Sequence, residues 1–129
     1  MRVLFVDDER WRFDNMVGWG VIPNDAIWAR SAIDAINVIV DFGPFDAVFL
    51  DHDLNTFVQD PYPREITGND VARVLCLQDW RPMTVVIHSA NPVGASRISA
   101  TLNDHGFCPI VKPIWSFADD AHGGQHADL

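Results

Sequence analysis

Five short apolar runs, each stopping at a polar or charged residue, constrain this chain more than any other feature. They are Val3-Leu4-Phe5-Val6, Ala26-Ile27-Trp28-Ala29, Ala47-Val48-Phe49-Leu50, Thr84-Val85-Val86-Ile87 and Phe107 to Val111. Segments of helical period separate them, which predicts βαβ units and a parallel sheet. A nearly continuous apolar strand is one covered by helices on both faces. The polar residues then gather where strands stop, and in an open α/β sheet ligands bind in the crevice outside the carboxyl ends of the strands.

A first helix is expected from about Trp11 to Trp19, with Phe13, Met16 and Val17 on one face. Ser31 can cap a second, carrying Ile33, Ile36, Val38, Ile39 and Phe42 and closed by Gly43-Pro44. Thr67 opens a third through Val71, Val74 and Leu75, ending near Trp80 and Pro82, and Ser96 to Leu102 reads as a fourth, punctuated by Gly106. Asn55 to Ile66 reads as a long loop without secondary structure, either a lid or a disordered insertion. Gln59, Tyr62 and Arg64 would let a lid contact a phosphate or a base. Asp119 to Leu129 reads as a frayed acidic tail.

Composition narrows the class. At 129 residues the chain fits one domain with a sizeable core. A formal net charge of −9 argues against binding to duplex DNA, which calls for basic patches. No apolar run approaches the roughly 18 residues a membrane span needs. MRVLFVDDE turns acidic too early for a signal peptide. Cys76 and Cys108 have no motif spacing and read as reduced, buried thiols. A cytoplasmic protein is expected.

The strand ends deliver Asp7-Asp8-Glu9, Asp51-His52-Asp53, His88-Ser89-Ala90-Asn91 and Lys112-Pro113. Carboxylates at adjoining strand ends repel one another unless a cation joins them. Oxygen ligands favour a hard ion, Mg²⁺ or Mn²⁺, which leaves room for phosphate oxygens. Asp7, Asp8 and Asp51 are the candidate metal ligands. Lys112 offers a point charge and Ser89 a hydroxyl to a phosphoryl group. Asp51 is either a metal ligand or a nucleophile forming an acyl phosphate. Any one of these residues alone can be an ordinary loop cap; the set in this order is what points to a site.

That set resembles the receiver domains of two-component signalling over residues 1 to about 113, leaving 114–129 as a short tail. The resemblance implies a flavodoxin-like sheet of order 2-1-3-4-5 with helices on both faces. With only 16 residues after Pro113, the last helix is expected to be short or absent, and no output domain follows. It also implies Mg²⁺ held by Asp7, Asp8 and Asp51, phosphorylation on Asp51 by a histidine kinase, contacts from Ser89 and Lys112, and a candidate cis bond at Lys112-Pro113.

Some features depart from an ordinary receiver. Asp53 and Asn91 stand two residues after Asp51 and Ser89, where receivers tune water attack on the phosphoryl group. A carboxylate at Asp53 would repel a phosphoryl group on Asp51, ligate a metal or act as a general base. His52 and His88 add two groups able to move protons near neutral pH. Strict alternation turns His88 away from Ser89, so its place in the crevice is open at this point.

Asp51-His52-Asp53-Leu54 and His88-Ser89-Ala90-Asn91 are similar to the D-H-D-L and H-S-x-N sequences of the divergent cyclic-phosphate-processing receiver-like branch. That resemblance implies binding or hydrolysis of cyclic phosphates on nucleotides or RNA ends. Asp51, His52, Asp53, His88, Ser89, Asn91 and Lys112 would be the catalytic set. Trp115 could stack on a base, although a core position is the commoner fate of a tryptophan.

Overall fold

The computed structural model describes the backbone of residues 1–59 and 61–127, with side-chain surroundings up to residue 121. Its strands and helices run β1 (Val3–Val6), α1 (Arg10–Gly18), β2 (Ile27–Ala29), α2 (Ala32–Phe42), β3 (Ala47–Leu50), β4 (Thr56–Val58), β5 (Arg64–Ile66), α3 (Gly68–Cys76), β6 (Thr84–Ile87), α4 (Pro92–Asp104), β7 (Ile110–Val111) and α5 (Ile114–Ala127). Five strands form one parallel sheet in the order β2-β1-β3-β6-β7. This is the flavodoxin-like order expected, with the hairpin strands β4 and β5 set apart.

The apolar runs are continuous because successive side chains enter two different cores. Leu4, Val6, Val48, Leu50, Val85 and Ile87 face a cluster closed by α2, α3 and α4. Val3, Phe5, Ala47, Phe49 and Val86 face the other, closed by Met16 of α1 and Ile114 of α5. Helix starts follow local chemistry. Ser31 Oγ accepts from Asp34 N at 3.1 Å, and Thr67 and Asp70 form a capping box on α3. Asn91 caps α4, with Pro92 in its first turn.

Several expectations need correction. The stretch from Asn55 to Ile66 contains an antiparallel hairpin pairing Thr56 with Ile66 and Val58 with Arg64. Ile66 and Val58 pack on the first core, and Thr56 Oγ1 accepts from Ala32 N at 3.1 Å. Asp60 lies outside the described residues. β7 holds only two residues where Phe107 to Val111 was expected. Pro109 has no N–H to donate to a ladder, and Phe107 turns into the first core. α4 begins four residues before Ser96, at Pro92, because Asn91 caps it there.

The last helix is neither short nor absent: α5 has 14 residues. Ile114 and Phe117 anchor its first turn in the second core, which the acidic composition of the tail concealed. Residues 128 and 129 lie outside the described residues. Lys112-Pro113 is trans; among the described residues the cis bond is Gly43-Pro44. Both cysteines are free, but Cys108 is exposed rather than buried. Burial pushes the half-buried Cys76 thiol upward.

Candidate functional site

The register of the central strands places the site. Val6 pairs with Leu50 and Leu50 with Ile87, so the next residues, Asp7, Asp51 and His88, stand side by side. The ladder continues through them: Asp51 N donates to Val6 O at 3.1 Å and His88 N to Leu50 O at 3.0 Å. All three continue the face that carries Phe5, Phe49 and Val86. Asp7 and His88 are essentially buried, and Asp51 is 3% exposed.

His88 does turn away from Ser89, as alternation requires, and so meets Asp7. Its Nε2 lies 2.9 Å from Asp7 Oδ2, and its ring stacks on Phe5 at 4.8 Å. With Asp7 ionised, Nε2 carries the proton and donates. His88 Nδ1 has no partner among the described residues.

Arg12, one turn into α1 from this end of the sheet, completes the cluster and was not foreseen. Its Nη1 donates to Asp7 Oδ1 at 3.2 Å and to Asp51 Oδ2 at 3.3 Å. Its buried Nε has no partner among the described residues. Burial raises the Asp51 carboxyl above the usual carboxylate range and Asp7 adds to the rise, against the pull of His88, Arg12 and the Ser89 hydroxyl. The donor atoms of Asp7, Asp51 and His88 lie within 4.8 Å of one another. Two buried carboxylates side by side call for a cation, and this donor set fits a divalent ion as it now fits the guanidinium.

Asp8 stands outside that donor set, contrary to its expected place among the ligands. It lines a crevice of about 200 Å³ with Glu9, Arg12, Asp51, Asp53 and Ala90. Burial, then Asp7, raises the Asp8 carboxyl. Asp53 reaches the crevice with its side chain 59% exposed, and its Oδ1 lies 2.8 Å from His52 Nδ1. Asn91 Nδ2 donates to the same carboxylate at 3.3 Å, while Asn91 Oδ1 holds the start of α4. The His52 ring faces the other core from His88. It lies against Gly94, where an added Cβ would meet it at 2.3 Å. Gly68 is more tightly constrained, since its Cβ would fall 1.9 Å from the Asp51 carbonyl oxygen.

Ser89 is buried, and its Oγ accepts from Asn91 N at 3.1 Å. Lys112 is not brought to the carboxylates. Its Nζ pairs with Asp120 on α5 and lies 4.9 Å above the Phe117 ring. The structure thus gathers Asp7, Asp51, His88 and Arg12 into one buried cluster. Asp8, Asp53, His52 and Asn91 border it, and Lys112 stands apart.

Comparison with known proteins agrees with this fold. Residues 2–104 match the family model described as the cyclic-phosphate processing receiver domain. Among curated proteins, none matches the chain. Among solved structures, the signal receiver domain of an HD domain-containing protein from Pseudomonas fluorescens Pf-5 aligns with TM-score 0.62 and 16% identity, covering 98% of this chain and 97% of that one. A signal receiver domain from Vibrio parahaemolyticus aligns with TM-score 0.61 and 23% identity, covering 99% and 95%. The N-terminal domain of a response regulator/sensory box/GGDEF 3-domain protein from Carboxydothermus hydrogenoformans gives 0.61 and 11%, covering 99% and 98%. Likeness at these identities shows the fold alone. Among the described residues no helix is long and apolar enough to cross a membrane.

Proposed function

The chain belongs to the family of cyclic-phosphate processing receiver domains, and from that premise we propose that its acidic crevice binds and opens a cyclic phosphodiester of a nucleotide or RNA end in the cytoplasm. The observation that carries this reading is the pairing of a guanidinium with a braced carboxylate in one crevice. Arg12 and Asp53 both line it, and Asp53 rests on His52 and Asn91.

The roles follow from position. Arg12, which lines the crevice, offers planar guanidinium donors to the non-bridging oxygens. Asp53 is the general base. It takes a proton from the attacking water as the new O–P bond forms, then returns it to the ring oxygen whose bond to phosphorus breaks. His52 and Asn91 position Asp53 and stabilise its charge. His88, 1% exposed, orients Asp7 rather than touching substrate. Asp7 and Asp51, with His88 bracing Asp7, would hold a Mg²⁺ or Mn²⁺ ion, which when bound would stabilise charge on the phosphate oxygens. Ser89 and Asn91 fix the rim of the crevice, and Lys112 joins it only by leaving Asp120.

The test is a panel of 2′,3′-cyclic and 3′,5′-cyclic nucleotides and cyclic-phosphate-ended RNA, assayed with Mg²⁺ or Mn²⁺. Turnover of one member is expected, falling about 10²–10⁴-fold in Asp53→Asn. Absence of binding and turnover across the panel at millimolar concentration would end this reading. Binding without turnover would make the domain a sensor.

A second reading rests on the fold shared with response-regulator receivers: phosphorylation of Asp51 by a histidine kinase. Against it, both Asp51 oxygens are already engaged, Oδ1 by His52 N at 2.8 Å and Oδ2 by Arg12. Acetyl phosphate with Mg²⁺ should therefore label Asp51 weakly. A stable, stoichiometric phosphoprotein by intact mass would favour the signalling reading.

A further inference from the structure

A groove of about 370 Å³ runs between α4 and the start of α5. Pro92, Ala95 and Ser99 form one side, Pro113 and Trp115 the other, and Ser89-Ala90 closes one end. Ala90 also lines the acidic crevice, so the two spaces share a wall residue. Their chemistry is opposite. The crevice carries four carboxylates and Arg12, whereas among the described residues no charged side chain lines the groove.

Trp115 is placed by its neighbour. Ile114 is 6% exposed and anchored in the second core, which leaves Trp115 55% exposed along the groove. The sequence offered a core position as the commoner fate of this tryptophan, and the structure excludes it. Across from the indole, Ala95, Ser96 and Ser99 are small, which keeps a slot open for something flat. Mostly apolar walls with a few hydroxyls and one aromatic ring are what a neutral heterocycle and its sugar require. Among the described residues, no cation lines it to meet a second phosphate.

We propose that this groove is the nucleoside subsite of the cyclic-phosphate site, with the base against Trp115 and the sugar passing over Ala90. The proposal rests on the phosphate reading of the crevice. It adds that the ligand is two-part, with its charged end in the crevice and its neutral planar end in the groove. One base stacked on one aromatic ring is worth about tenfold in affinity.

The experiment compares adenosine 2′,3′-cyclic phosphate with methyl riboside 2′,3′-cyclic phosphate, which lacks the base, by calorimetry. Wild-type protein, Trp115→Ala and Ser96→Phe are titrated, after thermal melts confirm that both exposed-site variants fold. The adenosine ligand should bind wild type about tenfold more tightly than the base-free ligand. Both variants should erase that advantage and leave base-free binding unchanged. Equal affinities in wild type, or an advantage that survives both variants, would overturn the subsite while leaving the phosphate reading in place. If neither ligand binds at millimolar concentration, the phosphate reading fails and the subsite fails with it.

Discussion

The ends of β1, β3 and β6 and the end of β7 continue the same kind of backbone ladder, yet their side chains are held very differently. Lys112 N donates to Ile87 O at 2.9 Å, just as His88 N donates to Leu50 O at 3.0 Å. At the central ends each functional group is gripped from several sides: Asp7 by His88, Arg12 and Glu9 N, Asp51 by Arg12 and His52 N. At the edge, Val111 is 52% exposed, and the Lys112 side chain follows α5 rather than the sheet. Backbone register sets where a residue stands. The packing around it sets which way its side chain goes.

The largest effect that sharpens this contrast should come from a glycine. A methyl group at Gly68 meets the Asp51 backbone, which the central ladder holds fixed. Gly68→Ala should therefore cost about 3 kcal/mol or more in chemical denaturation. Gly18→Ala, with nothing within 4 Å of the added carbon, should change stability little and is the control. Equal effects at the two positions would show that the site end is not the rigid one.

Gly94→Ala should do less, because its methyl meets the His52 ring, and a side chain can move where a backbone cannot. A loss of about 1–2 kcal/mol is expected. Because the displaced ring leaves Asp53, the imidazole resonances of His52 should shift by NMR. Full stability with an unmoved imidazole would mean that the His52 ring does not pack tightly against Gly94.

A smaller effect concerns charge. Burial and Asp7 hold the Asp51 pKa above its ordinary 3.8, so the folded state binds that proton more tightly than the unfolded chain. The stabilising contribution is full below 3.8 and is lost as pH rises through the raised folded value. In chelator, Asp51→Asn should remove this dependence and gain about 1 kcal/mol near neutral pH, despite losing one bond to Arg12. A destabilised variant with an unchanged pH profile would show that Arg12 fully compensates the buried pair.

Much of the centre was legible from sequence. Runs of four apolar residues between segments of helical period read as strands buried on both faces, and their order brought the polar residues at their ends together. Counting by twos from Phe5, Phe49 and Val86 even places Asp7, Asp51 and His88 on one face. Arg12 was not legible, since a lone arginine on a short helix carries no motif. Its one signal is a position four residues after Asp8, one helical turn beyond the strand end. The β4–β5 hairpin escaped notice because three-residue strands show no alternation and its ties reach back to Ala32. The direction of Lys112 depends on Asp120, eight residues on, within a tail whose helix the acidic composition hid.

The contrast between the two regions comes down to which cation holds the phosphate. Calorimetry with adenosine 2′,3′-cyclic phosphate on Arg12→Gln and Lys112→Gln tests that directly, with Asp120→Asn as the variant that frees the lysine. Arg12→Gln should weaken binding about tenfold or more, the scale of a lost charge-assisted hydrogen bond. Lys112→Gln should stay close to wild type, since its exposed ion pair contributes little. A larger loss in Lys112→Gln than in Arg12→Gln would contradict the account and place the phosphate at the edge of the sheet.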